Sequence, residues 1–161
     1  MNLQQMKEIE DLKEHVKEKE RQSATLFKQN VEPLVKKYED DFMANTSVYF
    51  KENGFDIEKA DDGSAFKAEY KELWFSVEKS IRSISIREGT ALKAMINISF
   101  NRYMGGSMSI PADKFLAEKA KIQHELNRIE REIECFSNPN VYYEYEGRRF
   151  TDTDELISLI F

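Results

Sequence analysis

Between residues 92 and 136 the hydrophobic period of the chain changes from two to about three and a half. Leu92, Ala94, Ile96, Ile98 and Phe100 alternate with Lys93, Met95, Asn97, Ser99 and Asn101, the pattern of a strand with one buried face. After Gly105-Gly106 and Pro111, Ile122, Leu126, Ile129, Ile133 and Phe136 recur at steps of four and three. This spacing predicts a helix over residues 112–136 with one narrow apolar seam, interrupted at Lys119. Such a helix has two ways to bury its seam: it covers the apolar face of the sheet, or it pairs with another helix.

A chain of 161 residues reads as one domain, long enough to bury a core without disulfides or metal. The predicted organisation is a charged helical arm over residues 1–30 and a single α+β domain over 31–161. Residues 2–29 carry a thin stripe of Leu3, Met6, Ile9, Leu12 and Val16, which fails where Lys19, Glu20 and Ser23 replace the next apolar residues. Opposite charges at Glu10 and Lys13, Glu14 and Lys17, and Glu18 and Arg21 support the helix locally. Asn30 can cap a second helix, with Pro33 tolerated in its first turn, and Phe27, Val31, Leu34, Tyr38 and Phe42 lie on one face. Residues 2–52 are then one kinked helix or two.

From Phe55 onward the alternation becomes β-like. Phe66, Ala68 and Tyr70 are followed by Leu73, Phe75 and Val77 after a one-residue slip, read as a bulge at Lys71-Glu72. Ile84 and Ile86 add a strand, and Ser107–Ile110 a short further one. The expectation is an antiparallel meander of about four or five strands, a covering helix, a strand over Val141–Tyr145 and a short final helix with Asp152 and Glu155 at its start.

Thirty acidic against 24 basic side chains give a net charge of -6. This argues against general attraction to nucleic acid or anionic membranes. No stretch approaches the apolar length of a membrane span, and residues 1–8 show no signal-peptide core. Cys135 is the one cysteine and reads as a packed thiol in a reducing compartment, so a cytoplasmic location is expected. The preference for Lys, Ile, Asn, Phe and Tyr hints at an AT-rich genome, such as that of a low-GC bacterium or its phage.

Chemistry-bearing patterns are sparse. His15 and His124 lack a second ligand at helical spacing and read as solvated helix residues. Glu69-Tyr70-Lys71 is an acid-x-Lys triplet on a predicted strand, with Asp62 upstream. With the order helix, strands, helix, strand, it resembles the core of the restriction-endonuclease-like superfamily. That resemblance implies a metal-dependent nuclease in which Asp62 and Glu69 hold a divalent ion and Lys71 stabilises charge. The Asp-to-Glu gap is shorter than in that family, and no proline precedes the acid. A solvated strand face accounts for the same residues. Arg148-Arg149 beside Tyr142, Tyr143 and Tyr145 supplies cations and rings of the kind single-stranded nucleic acid uses, or simply a surface turn.

Two surfaces remain. One is the charged arm, with Glu10, Lys13, Glu14, Lys17, Glu18 and Arg21. The other is the polar face of the sheet, where Ser83, Ser85 and Arg87 are expected beside Lys93, Asn97 and Ser99. The sequence therefore predicts a non-enzymatic protein-interaction module, an adaptor or inhibitor that needs no cofactor and self-associates through its helices. The nuclease and a nucleic-acid-binding accessory protein are the alternatives.

Overall fold

The structure, a computed structural model, describes all residues from Met1 to Phe161. It is a mixed α+β fold built as two compact units: Met1–Glu32 with Asn101–Asn140, and Pro33–Phe100 with Val141–Phe161.

The first unit is a pair of helices, α1 (Leu3–Leu26) and α3 (Lys114–Ser137). A reciprocal cap starts α1: the Asn2 side chain accepts the Gln5 N–H and the Gln5 side chain accepts the Asn2 N–H. Asp113 caps α3 by accepting the Leu116 N–H at 2.9 Å. The two helices run parallel, because low numbers meet low numbers: Glu8 pairs with Lys119, Lys13 lies 3.6 Å from Glu118, and the Phe27 and Phe136 rings meet edge to face at 5.3 Å. The seam of α3 thus has a partner inside the chain, with Ile9, Leu126, Ile129 and Phe136 buried. Ser23, where the α1 stripe fails, is buried too. A small hydroxyl there leaves the groove of about 680 Å³ that Ser23, Phe27, Ile129 and Phe136 help to line.

Leu3 to Glu52 is one unbroken helical run: α1, a π-helical turn at Phe27–Val31, and α2 (Glu32–Glu52). Asn30 therefore caps no second helix. The wide turn lies just before Pro33, whose ring crowds the preceding turn and which has no N–H to give; an extra residue in the turn relieves that crowding.

The second unit is a seven-stranded antiparallel sheet in the order β1-β2-β3-β4-β5-β6-β7. Its strands are β1 (Asp56–Lys59), β2 (Ala65–Tyr70), β3 (Leu73–Ser80), β4 (Ser83–Glu88), β5 (Ala91–Phe100), β6 (Val141–Tyr145) and β7 (Arg148–Phe150). The count exceeds the expected four or five because tight reversals hide strand ends. The slip at Lys71-Glu72 is a hairpin turn, with Tyr70 opposite Leu73. Ile81-Arg82 and Glu146-Gly147 make equally short turns. Lys71, Arg82 and Glu146 take left-handed backbone angles in them, a conformation that a sequence usually signals with glycine or asparagine. Ser107–Ile110 forms no strand.

The sheet's apolar face is covered by α2. Phe50 packs against Phe75 at 5.1 Å and Phe66 at 6.2 Å, and Tyr143 against Tyr38 at 5.0 Å and Phe42 at 5.8 Å. The helix whose seam suits that role, α3, instead packs on α1. The final helix, α4 (Thr153–Ile160), starts at an Asp152 side chain that accepts the Asp154 N–H rather than pairing with Glu155. It buries Leu156, Ile157 and Ile160 and leads to Phe161, whose ring lies 5.0 Å from Phe50.

Residues 101–140 are an insertion between two neighbouring strands, β5 and β6. Asn101 and Asn140 close its base: the Asn101 N–H donates to the Asn140 carbonyl at 3.1 Å, and the Asn140 N–H to the Asn101 side chain at 2.7 Å.

Candidate interaction surface

One face of the sheet carries the core; the other is built by the alternate residues of every strand. Register sets its rows. Glu58, Lys67, Ser76, Arg87 and Leu92 form one, and Ala65, Glu78, Ser85 and Met95 the next. Ser80, Ser83, Asn97, Glu144 and Arg149 form a third, and Ser99 stands opposite Tyr142 in a fourth.

Five of the six sheet residues singled out from the sequence, Ser83, Ser85, Arg87, Asn97 and Ser99, thus share this surface. Lys93 leaves it. A bulge sets Ile86 opposite Ala94 but Arg87 opposite Leu92, so Lys93 is the extra residue. Its amine pairs with Glu88 at 3.5 Å and lies over the Phe161 ring. The same bulge takes Leu92 out of the buried alternation: Leu92 is 53% exposed, and Met95 is 45% exposed. Trp74, half-buried at the end of this face, carries the Lys67 amine 4.9 Å from its ring centre, and Lys67 also pairs with Glu69. The Arg149 guanidinium sits 4.4 Å over the Tyr142 ring. The sequence alternation sets Met95 on this face without singling it out, and it misses Trp74 and Leu92 as members. A signal for Trp74 exists, since Trp74, Ser76 and Glu78 alternate with Phe75, Val77 and Lys79.

The charges on this face lean acidic. By register, Asp56, Glu58, Glu69, Glu78 and Glu144 stand against Lys67, Arg87 and Arg149. The centre is small and neutral, with Ser76, Ser83, Ser85 and Asn97 around Met95.

The arm residues lie along α1. Lys13 bonds Glu10 at 2.9 Å and approaches Glu118. Its ammonium holds the Glu10 carboxyl below the usual carboxylate range. Glu10, Lys13, Glu14, Lys17, Glu18 and Arg21 line one shallow charged depression. On α3, Arg128 bridges Glu125 at 2.6 Å and Glu132 at 2.9 Å, and the guanidinium hydrogen bond holds Glu125 low.

The acid-x-Lys residues do not converge. Asp62 sits in the turn before β2, and Glu69 lies near the far end of that strand, four residue steps or about 13 Å from its first residue, Ala65. Asp62 accepts from the Ser64 hydroxyl at 2.7 Å and the Ser64 N–H at 3.0 Å, which lowers its pKa. Glu69 is engaged by Lys67, and Lys71 occupies the hairpin tip with its amine over the Tyr70 ring. Nowhere do three His, Cys, Asp or Glu side chains gather in reach of a shared ion. Arg148 lies over Phe150, as Arg149 does over Tyr142, so both cations rest on rings of their own hairpin. No helix is long and apolar enough to cross a membrane.

No protein family model, curated protein or solved structure matches the chain.

Proposed function

We propose that this chain is a non-enzymatic protein-interaction module, an adaptor or inhibitor that binds another protein through the open face of its sheet. The carrying observation is the pair Leu92 and Met95, half-exposed large apolar side chains set among serines and an asparagine on a surface that no element of the sheet's own unit covers. Short side chains let a partner approach closely, and exposed apolar groups supply the driving force for association. The acidic surround fits a partner whose contact surface is apolar at its centre and basic at its rim. That same balance disfavours nucleic acid, since phosphates would meet the carboxylates of Asp56, Glu58, Glu69, Glu78 and Glu144.

The test compares the wild type with a Leu92→Glu, Met95→Glu double variant. Each is cross-linked in a lysate of the source cells, and each captured protein is then purified and titrated against both. The reading requires a partner that binds the wild type, loses affinity at least about tenfold with the variant, and weakens further when its own basic rim is reversed. Both chains should unfold at similar temperature. Equal binding by both chains would refute it.

A further inference from the structure

Residues 101–113 span an unusual distance for their number. Asn101 is held to Asn140, just beyond the C-terminal end of α3, while Asp113 caps the N-terminal end of the same helix. A helix of 24 residues is about 36 Å long. Twelve residue steps must cover that length, about 3 Å each, near the limit of about 3.3–3.6 Å for a fully extended chain. The segment is therefore a drawn-out strap along the first unit.

The strap has the composition and pattern of a strand without a sheet. Tyr103 to Ala112 is the longest run without a charged residue in a chain that is 34% charged. Met104, Met108 and Ile110 fall at even positions, interrupted by Gly106, and Gly105, Ser107 and Ser109 at odd ones, an alternation of large and small that suits a two-faced strand. Yet residues 103–112 make no hydrogen bond within the chain, backbone or side chain. Met104 is 92% exposed, Ile110 56% and Tyr103 42%. Gly105 takes φ +76° with open space around it.

We propose that residues 104–110 are a recognition strand, and that its partner is the same segment of a second copy of this chain, paired antiparallel about a two-fold axis near Ser107. Three features favour a second copy. Each strap offers the other one edge of unused N–H and C=O groups, which a partner strand satisfies at alternate residues. Pairing about Ser107 sets Met108 of one copy opposite Gly106 of the other, and Met104 opposite Ile110, so the large side chains meet space or each other. Copies that each carry a net charge of -6 repel, and the strap is where they can meet without like charges facing. The strap shares no residue with the open sheet face, so either assignment can fail without the other.

Sedimentation equilibrium of the full chain over a hundredfold range of concentration tests this, together with hydrogen exchange at low and high concentration. The comparison variants are Ser107→Pro, Met108→Pro and Ser109→Ala. Successive N–H groups of a strand point to opposite edges, so one of the two prolines must remove a donor from the new ladder. Neither removes a hydrogen bond from the folded chain. The expected result is a concentration-dependent dimer whose Kd rises about tenfold or more in at least one proline variant and is unchanged in Ser109→Ala. Alternate amides within 104–110, those that face the partner strand, should exchange more slowly as the dimer fills. A chain that stays monomeric, a dimer indifferent to both prolines, or protection confined to other residues would overturn the proposal. Circular dichroism and the thermal midpoint establish that the variants are folded.

Discussion

Asn30 donates its side-chain amide to the main-chain carbonyl of Phe136 at 2.9 Å. The donor stands in the π-helical turn and the acceptor in the last turn of α3, where carbonyls have no helical partner. The bond ties the two parallel helices together at the point where their Phe27 and Phe136 rings also meet. Asn30→Ala should cost about 1 kcal/mol in urea unfolding. Asn30→Asp should cost more, because a carboxylate cannot donate and would face the negative end of α3. The gap between the two variants should narrow as pH falls below about 4, where the acid gains a proton to donate. Equal stability of Asn30→Ala and wild type would remove the tie from the account.

Thr46 and Ser47 are buried in α2, and neither hydroxyl has a partner. An unpaired buried hydroxyl disfavours the folded state, whereas the threonine methyl group contributes to packing. Thr46→Val keeps the branched shape and should raise stability by about 1 kcal/mol. Thr46→Ala should lower it by about 1–2 kcal/mol through the space left behind. Chemical denaturation of both variants checks the pair. A destabilised Thr46→Val would mean that the hydroxyl is satisfied, for instance by an internal water.

The period-two runs through Phe66, Ile84 and Ile96 are legible in the sequence because one face of an antiparallel sheet is buried and the other is not. The strand count is not, since Lys71-Glu72 and Ile81-Arg82 reverse the chain without the residues that usually mark such turns. The α3 seam is equally plain, but a seam does not name its partner. Lys19 and Ser23 make α1 look unsuited, yet Ser23 is buried, so a small polar residue can hold a place in the stripe. Lys93 is displaced by a bulge that shows only in cross-strand register. Pro33 is legible as a first-turn residue. The widened turn before it, where Phe27 and Asn30 meet Phe136, is not marked in the sequence.

Tyr143 is buried against α2, and its hydroxyl donates to the Tyr38 carbonyl at 2.6 Å. Burial raises its pKa well above the ordinary 10.0, with the nearby Asp41 charge adding to the shift. A raised folded-state pKa means that the folded chain holds the proton longer than the unfolded chain. Its stabilising effect is therefore complete below about pH 10 and declines as pH climbs from there toward the folded value. Tyr143→Phe should lose about 1 kcal/mol at neutral pH with the hydrogen bond. Its stability should also fall less steeply above about pH 10 than that of the wild type. Parallel slopes for the two proteins in alkaline denaturation would show that Tyr143 does not titrate with unfolding.

Removing residues 1–26 takes away α1 and bares Ile122, Leu126, Ile129, Ile133 and Phe136 on α3. A single helix of 24 residues with such a seam is marginal in water and seeks a replacement partner. The truncated chain should either lose the helicity of α3 along with that of α1 or associate through the bared seam. Circular dichroism and sedimentation distinguish these from the intact protein. Removing residues 1–26 together with the insertion, with a short turn joining Asn101 to Asn140, should restore a well-behaved chain. The Asn101 and Asn140 backbones are already hydrogen-bonded at 3.1 Å, and the core around Phe50, Phe75 and Tyr143 lies wholly in the sheet unit. A truncated chain that is monomeric and retains a helical α3 would show that α1 is dispensable to its neighbour.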